Sequence, residues 1–126
     1  MSKKKILIVD DAQEFADVIK LRLEANNYAA ATLTDPRNIV EVIKRESPDL
    51  ILLDIVMPGI DGYQAVKMVR SDLKTVSVPV VLLTGKDLDP KETYRKCREL
   101  GLAGFLVKPV ESKELLDKVK ELIGDK

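Results

Sequence analysis

The sequence predicts an α/β fold: a five-stranded parallel sheet, doubly wound, with helices on both faces. Three observations predict it. Short apolar runs, KILIV at 5–9, ILL within PDLILLDIVMPGIDG at 48–62 and VPVVLL at 78–83, are too short for ordinary helices and are bounded by turn residues. Between these runs the apolar residues recur at helical spacing. Strand and helix patterns alternate five times, which calls for right-handed crossovers and a sheet covered on both sides.

Composition sets the outer limits. The chain has 126 residues, 45% hydrophobic and 33% charged, an ordinary globular balance that predicts one domain over residues 1–126. Formal net charge is zero, from 21 basic and 21 acidic residues, so nothing draws the whole molecule to nucleic acid or an anionic membrane. Cys97 has no second cysteine to pair with and no histidine to activate it, and it reads as core filler in a reducing compartment. The basic start, MSKKK, runs straight into KILIVDD rather than a long apolar signal segment. No stretch approaches the roughly 20 apolar residues of a membrane span. The expectation is a cytoplasmic protein with no membrane insertion.

The first strand is Ile6 to Val9. From about Ala12 the period becomes helical, with Phe15, Val18, Ile19, Arg22 and Leu23 on the inner side and Leu21 singly exposed. Asn26 and Asn27 mark the stop, one of them at a left-handed cap. Ala29 to Leu33 is a weak, small-residue strand expected near an edge. Asp35 caps a second helix with Pro36 at its first position and Ile39, Val40 and Ile43 inward; Pro48 ends it. The central strand then ends in Asp54.

Pro58-Gly59 and Asp61-Gly62 are turn signals before a third helix, Tyr63 to Ser71, with Val66 and Val69 inward. Pro79 lies near the start of the fourth strand, where a missing N–H is tolerable. Asp89-Pro90 starts a mostly polar fourth helix with a narrow apolar side of Tyr94, Cys97 and Leu100, leaving Lys91, Arg95 and Arg98 for partners. Gly101 ends that helix and Gly104 to Val107 is the fifth strand. Ser112 caps the last helix, in which Leu115, Leu116, Val119, Leu122 and Ile123 repeat at helical spacing.

A parallel sheet delivers the carboxyl ends of its strands to one edge. Asp10, Asp11, Asp54, Thr84 and Lys108 each follow a strand, so all five can meet in one shallow pocket. Three carboxylates close together repel unless a cation or a proton joins them. Hard oxygen ligands with room for water suit Mg²⁺, and such an ion beside a nucleophilic carboxylate and an ammonium is what phosphoryl transfer requires.

Here the pattern becomes specific. IVDD at 8–11, LLDIVMPGIDG at 52–62, LLTG at 82–85 and FLVKP at 105–109 closely resemble the receiver domains of two-component response regulators, over essentially the whole chain. The resemblance implies the flavodoxin-like, CheY-like form of the doubly wound sheet. It implies phosphorylation of Asp54 by a sensor histidine kinase or a histidine phosphotransfer protein, and Mg²⁺ held by Asp11, by Asp10 chiefly through water, by Asp54 and by the Val56 carbonyl. It makes Thr84 the switch hydroxyl, Phe105 the switch aromatic, Lys108 the lysine that reaches the phosphoryl group and Pro109 a cis-proline. The output is a docking surface around the fourth helix, fifth strand and fifth helix for a downstream protein target or an output domain, without direct nucleic-acid binding.

Three positions depart from the commonest family pattern. Gly85 stands where Ala is frequent and still lets phosphoryl oxygens approach its backbone, Phe105 replaces a frequent Tyr, and Asn27 stands where Gly often ends the first helix. Such a domain catalyses its own phosphotransfer and dephosphorylation without turning over an external substrate. A haloacid-dehalogenase-like phosphohydrolase shares the strand-end Asp, Mg²⁺ and Lys, but its D-x-D arrangement needs a second acid where this chain has Val56. A degenerate receiver serving only as a docking module is opposed by the intact acidic set, Thr84 and Lys108.

Overall fold

The computed structural model describes residues 3–124. Five parallel strands, β1 (Lys5–Val9), β2 (Ala29–Leu33), β3 (Leu50–Asp54), β4 (Val80–Thr84) and β5 (Gly104–Val107), form a sheet of order β2-β1-β3-β4-β5. Four helices connect them, α1 (Gln13–Glu24), α2 (Ile39–Glu46), α3 (Gly62–Arg70) and α4 (Pro90–Leu100), and α5 (Ser112–Ile123) follows β5. The small-residue strand β2 lies at an edge, and β3 is central.

The two-residue period of a strand divides the core into two layers. Leu7, Val9, Ile51, Leu53, Val80 and Leu82 point to α2, α3 and α4, while Ile6, Ile8, Leu50, Leu52, Val81 and Leu83 point to α1 and α5. Every one of these twelve strand residues is 0% exposed. Each such side chain contributes about 1.5–3 kcal/mol by burial, so β1, β3 and β4 form the least movable part of the molecule.

Most element ends follow their local chemistry. Asn27 takes the left-handed conformation, φ 72°, after α1, and Gly101 does so at the end of α4, φ 66°. Asp89 accepts from the Lys91 N–H ahead of Pro90 at the start of α4. Asp61 and Gln64 close a reciprocal capping box on α3. The Asp35-Pro36 start forms a 3₁₀ turn, Pro36–Asn38, that leads into α2.

Three expectations, two from periodicity and one from capping, are corrected. Val18 is 44% exposed, because the buried line of α1 runs through Ala16, Ile19 and Leu23. Tyr94 is 58% exposed, because α4 turns Thr93 and Cys97 inward and the Thr93 hydroxyl donates to the Asp89 carbonyl at 3.1 Å. Ser112 is the first residue of α5 rather than its cap; Glu111 holds that position with no side-chain hydrogen bond.

Candidate functional site

Register brings the strand ends together. Leu53 pairs with Val9, Asp54 with Leu83, and Thr84 with Val107, so Asp10, Asp54, Thr84 and Lys108 emerge along one edge of the sheet. Backbone bonds carry the ladder past the strand ends: Asp10 N–H donates to Leu33 O, Ile55 N–H to Leu83 O and Lys108 N–H to Thr84 O.

Asp10 is fully buried and Asp54 is 6% exposed, whereas Asp11 is exposed. One carboxylate oxygen from each of the three lies within 4.8 Å of the others. Asp10 Oδ1 accepts from the Ala12 N–H at 2.9 Å and Asp54 Oδ1 from the Val56 N–H at 3.3 Å. Lys108 Nζ stands 2.7 Å from Asp10 Oδ2 and 3.6 Å from Asp54 Oδ2. The contact with Asp10 is an ion pair off the axis of a hydrogen bond, and the buried Asp10 Oδ2 receives none. Burial pushes the Asp54 carboxyl up to about 6; the charge of Asp10 adds to the rise, while Lys108 and the Val56 N–H offset part of it and Asp11 adds a little more.

The donor set is three hard carboxylate oxygens, one side chain at the rim and one buried oxygen without a hydrogen bond. Such a set fits a small divalent cation that keeps part of its water. Asp54 combines a raised pKa with a neighbouring ammonium, and so offers a carboxylate held ready to meet an electrophile carrying negative oxygens.

The remaining candidates surround this centre. Thr84 is 2% exposed, and its hydroxyl donates to Leu106 O at 3.5 Å, the long end of hydrogen bonding. Phe105 is half-buried against the layer that includes Cys97. A Cβ at Gly85 would lie 2.7 Å from Asp87 Oδ1, so glycine here admits the Asp87 side chain as well as keeping the Gly85 backbone bare. The Lys108–Pro109 bond is cis. The Val56 side chain is 66% exposed beside the pocket. Cys97 is buried with Sγ 3.6 Å from Gly104 O, and burial pushes its thiol up, away from reactivity.

The family model described as the response regulator receiver domain matches residues 6–120. The chain belongs to the response regulator receiver family. Its solved relatives share the whole architecture. The signal receiver domain of a signal transduction histidine kinase from Syntrophus aciditrophicus is 32% identical, with 95% of this chain and 89% of that chain covered and a TM-score of 0.81. The chemotaxis protein CheY4 of Vibrio cholerae is 25% identical over 97% of this chain and 100% of that chain, with a TM-score of 0.87. The receiver domain of Francisella response regulator 1452 is 27% identical over 94% and 95% of the two chains, with a TM-score of 0.82. The five-stranded parallel, CheY-like fold and a part in phosphorylation-dependent signalling follow from that membership.

Two contacts of this receiver domain change the expectations drawn from the residue patterns. Phe15, placed by periodicity in the core stripe of α1, is half-buried, and the Lys108 ammonium lies 4.5 Å from the centroid of its ring. On α4, Arg95 pairs with Glu92 and Glu99 of the same helix, and Arg98 lies over the Tyr94 ring at 6.0 Å. Arg95 is thus not the uncommitted cation the sequence suggested, since its i−3 and i+4 neighbours are both acids. Among the described residues no helix is long and apolar enough to cross a membrane.

Proposed function

We propose that this receiver domain is a switch in which Asp54 accepts a phosphoryl group from the phosphohistidine of a sensor histidine kinase or a histidine phosphotransfer protein. The observation that carries the reading is Asp54 itself: a nearly buried carboxylate at the end of the central strand, 3.6 Å from an ammonium and clustered with two further acids. In the transfer, an Asp54 oxygen attacks phosphorus as the P–N bond breaks, and the imidazole leaves with the bonding electrons and takes up a proton. Water later attacks the same phosphorus, the P–O bond to Asp54 breaks, and inorganic phosphate leaves with the carboxylate restored.

Asp10, Asp11 and Asp54, with the Val56 carbonyl, would hold Mg²⁺, consistent with the acidic pocket typical of receiver domains. Bound there, the ion supplies positive charge to the transferring oxygens and offsets repulsion among the acids. Lys108 brings the ammonium to a second phosphoryl oxygen. The bare Gly85 backbone leaves room for a third. The β3 scaffold fixes the attacking oxygen, so the chain contributes position and charge rather than covalent chemistry of its own.

The acyl phosphate adds charge and acceptors next to Thr84. The Thr84 hydroxyl is held by a long bond to Leu106 O that movement toward them would break. That movement opens space for Phe105, and the face made by α4, β5 and α5 repacks for a downstream target or output domain. The polar α4, with Tyr94 exposed, has the shallow packing such a shift needs.

Treatment with acetyl phosphate and Mg²⁺ is expected to place one acyl phosphate per chain at Asp54, read by mass spectrometry. Asp54→Asn should lower labelling at least 100-fold, and equal labelling of that variant would refute the assignment. With beryllium fluoride as the phosphoryl mimic, NMR shifts should extend from Thr84 through Phe105 into α4. Thr84→Ala should confine them to the loops around Asp54 while labelling persists; distant shifts that survive the substitution would break the coupling.

A further inference from the structure

Lys108 is held from three sides, and one of the three is not a carboxylate. Its Nζ stands 2.7 Å from Asp10 Oδ2, 3.6 Å from Asp54 Oδ2 and 4.5 Å from the centroid of the Phe15 ring. An ammonium at that distance is attracted by the negative face of the ring. Phe15 sits in the first turn of α1, just after the acid pair, and packs against the buried layer that contains Ile19, Val110 and Leu115. The ring is therefore backed by core, whereas the lysine has a flexible four-carbon stem and no hydrogen bond that fixes its head.

The two carboxylates are the same groups that a divalent cation or a phosphoryl group would engage. Once they are engaged, their hold on Lys108 weakens, and the ring contact is the one that does not compete. Resting on the phosphoacceptor reading of Asp54, we propose that Phe15 is a positioning residue for Lys108. Its ring keeps the ammonium at the pocket mouth while the acids are otherwise occupied, so that Lys108 meets the incoming phosphoryl oxygen without first being recovered from solvent. The ring touches no reacting atom; it acts through the lysine alone.

The test compares Phe15→Leu, which keeps apolar bulk without a ring, with Phe15→Tyr, which keeps the ring. In the metal-free wild-type protein the Lys108 ε-methylene protons should be shifted upfield by the ring current, a shift retained by the tyrosine variant and lost by the leucine variant. With acetyl phosphate, where Asp54 attacks phosphorus and acetate departs with the electrons of the broken P–O bond, labelling should slow roughly three- to ten-fold in Phe15→Leu. Phe15→Tyr should label at the wild-type rate, and Mg²⁺ affinity should be the same in all three. Phe15→Met repeats the removal of the ring should the leucine variant lose its native circular dichroism. An unshifted Lys108 in the wild type, a wild-type labelling rate in Phe15→Leu, or equal slowing in Leu and Tyr variants would each overturn the proposal. Undiminished labelling of Asp54→Asn would instead overturn the phosphoacceptor reading, leaving the ring-current comparison to decide the placement of Lys108 by itself.

Discussion

Adding one methyl group at Gly62 is expected to cost on the order of 3 kcal/mol or more and to displace the loop that follows Asp54. A Cβ at this position would lie 2.5 Å from Asp54 O, 2.7 Å from Ile55 Cα and 3.1 Å from Asp54 C. All three are backbone atoms, so no side chain can swing aside. The Gly62 N–H also donates to Ile55 O at 2.7 Å, clamping the start of α3 onto the residues that follow β3. Gly62→Ala must therefore open the clamp or bend the strand end that carries Asp54. Denaturant unfolding should show a large fall in midpoint, and labelling with acetyl phosphate should fall with it. Gly59→Ala, with φ 82° but open space around it, should cost only about 1 kcal/mol and supplies the control. Equal midpoints for Gly62→Ala and the wild type would show that the close approach does not constrain the fold.

The second large effect couples pH to metal. In the metal-free protein the Asp54 carboxyl, at about 6 in the folded state against 3.8 ordinarily, makes folding less favourable whenever it is ionised. The folded state binds a proton that the unfolded state has released, so stability should rise as pH falls from 7 through 6 toward 4.5. The full effect is on the order of 2–3 kcal/mol, reduced by solvent at the pocket mouth. Glu46, Asp35 and Asp72 work in the opposite sense, because partners hold their carboxyls below the ordinary range; they withdraw stability only below about pH 4.5, near the ordinary Glu46 value of 4.5. Asp54→Asn should remove the upper slope and raise metal-free stability at pH 7. Saturating Mg²⁺ should raise the wild-type melting temperature at pH 7 by mass action, and Asp11→Ala should lose most of that rise. A metal-free protein with flat stability between pH 7 and 4.5 would contradict the strained ionisation of Asp54.

The strands were legible because burial on both faces leaves them almost wholly apolar, and their polar ends were legible because a parallel sheet gathers them at one edge. Helix faces were less so. Ala16 contributes little hydrophobic signal, which let Val18 pass for a core position, and Thr93 is polar by type yet buries itself by bonding within its own first turn. Gly62 reads in sequence as one more turn residue; that its Cβ would meet the Asp54 carbonyl depends on how tightly the loop folds back. The approach of Phe15 to Lys108 joins residues 93 positions apart through a side-chain contact, and no spacing rule encodes it. Arg95 is the opposite case. Its acids stand at i−3 and i+4, so its pairing was legible from helical geometry.

The order of the strands also sets a clock. β3, which carries Asp54, is hydrogen-bonded to a neighbour on each side, whereas β5, which carries Phe105, is bonded to β4 alone and leaves Val107 exposed. Parting β3 means breaking two ladders and emptying both core layers, an excursion close to global unfolding; parting β5 means breaking one short ladder. Fluctuations at the edge can therefore recur many times in the microsecond to millisecond range while the central strand stays closed. A phosphoryl group on Asp54, as proposed, would sit at the slow centre of the sheet, while Phe105 sits on an edge strand held by a single ladder.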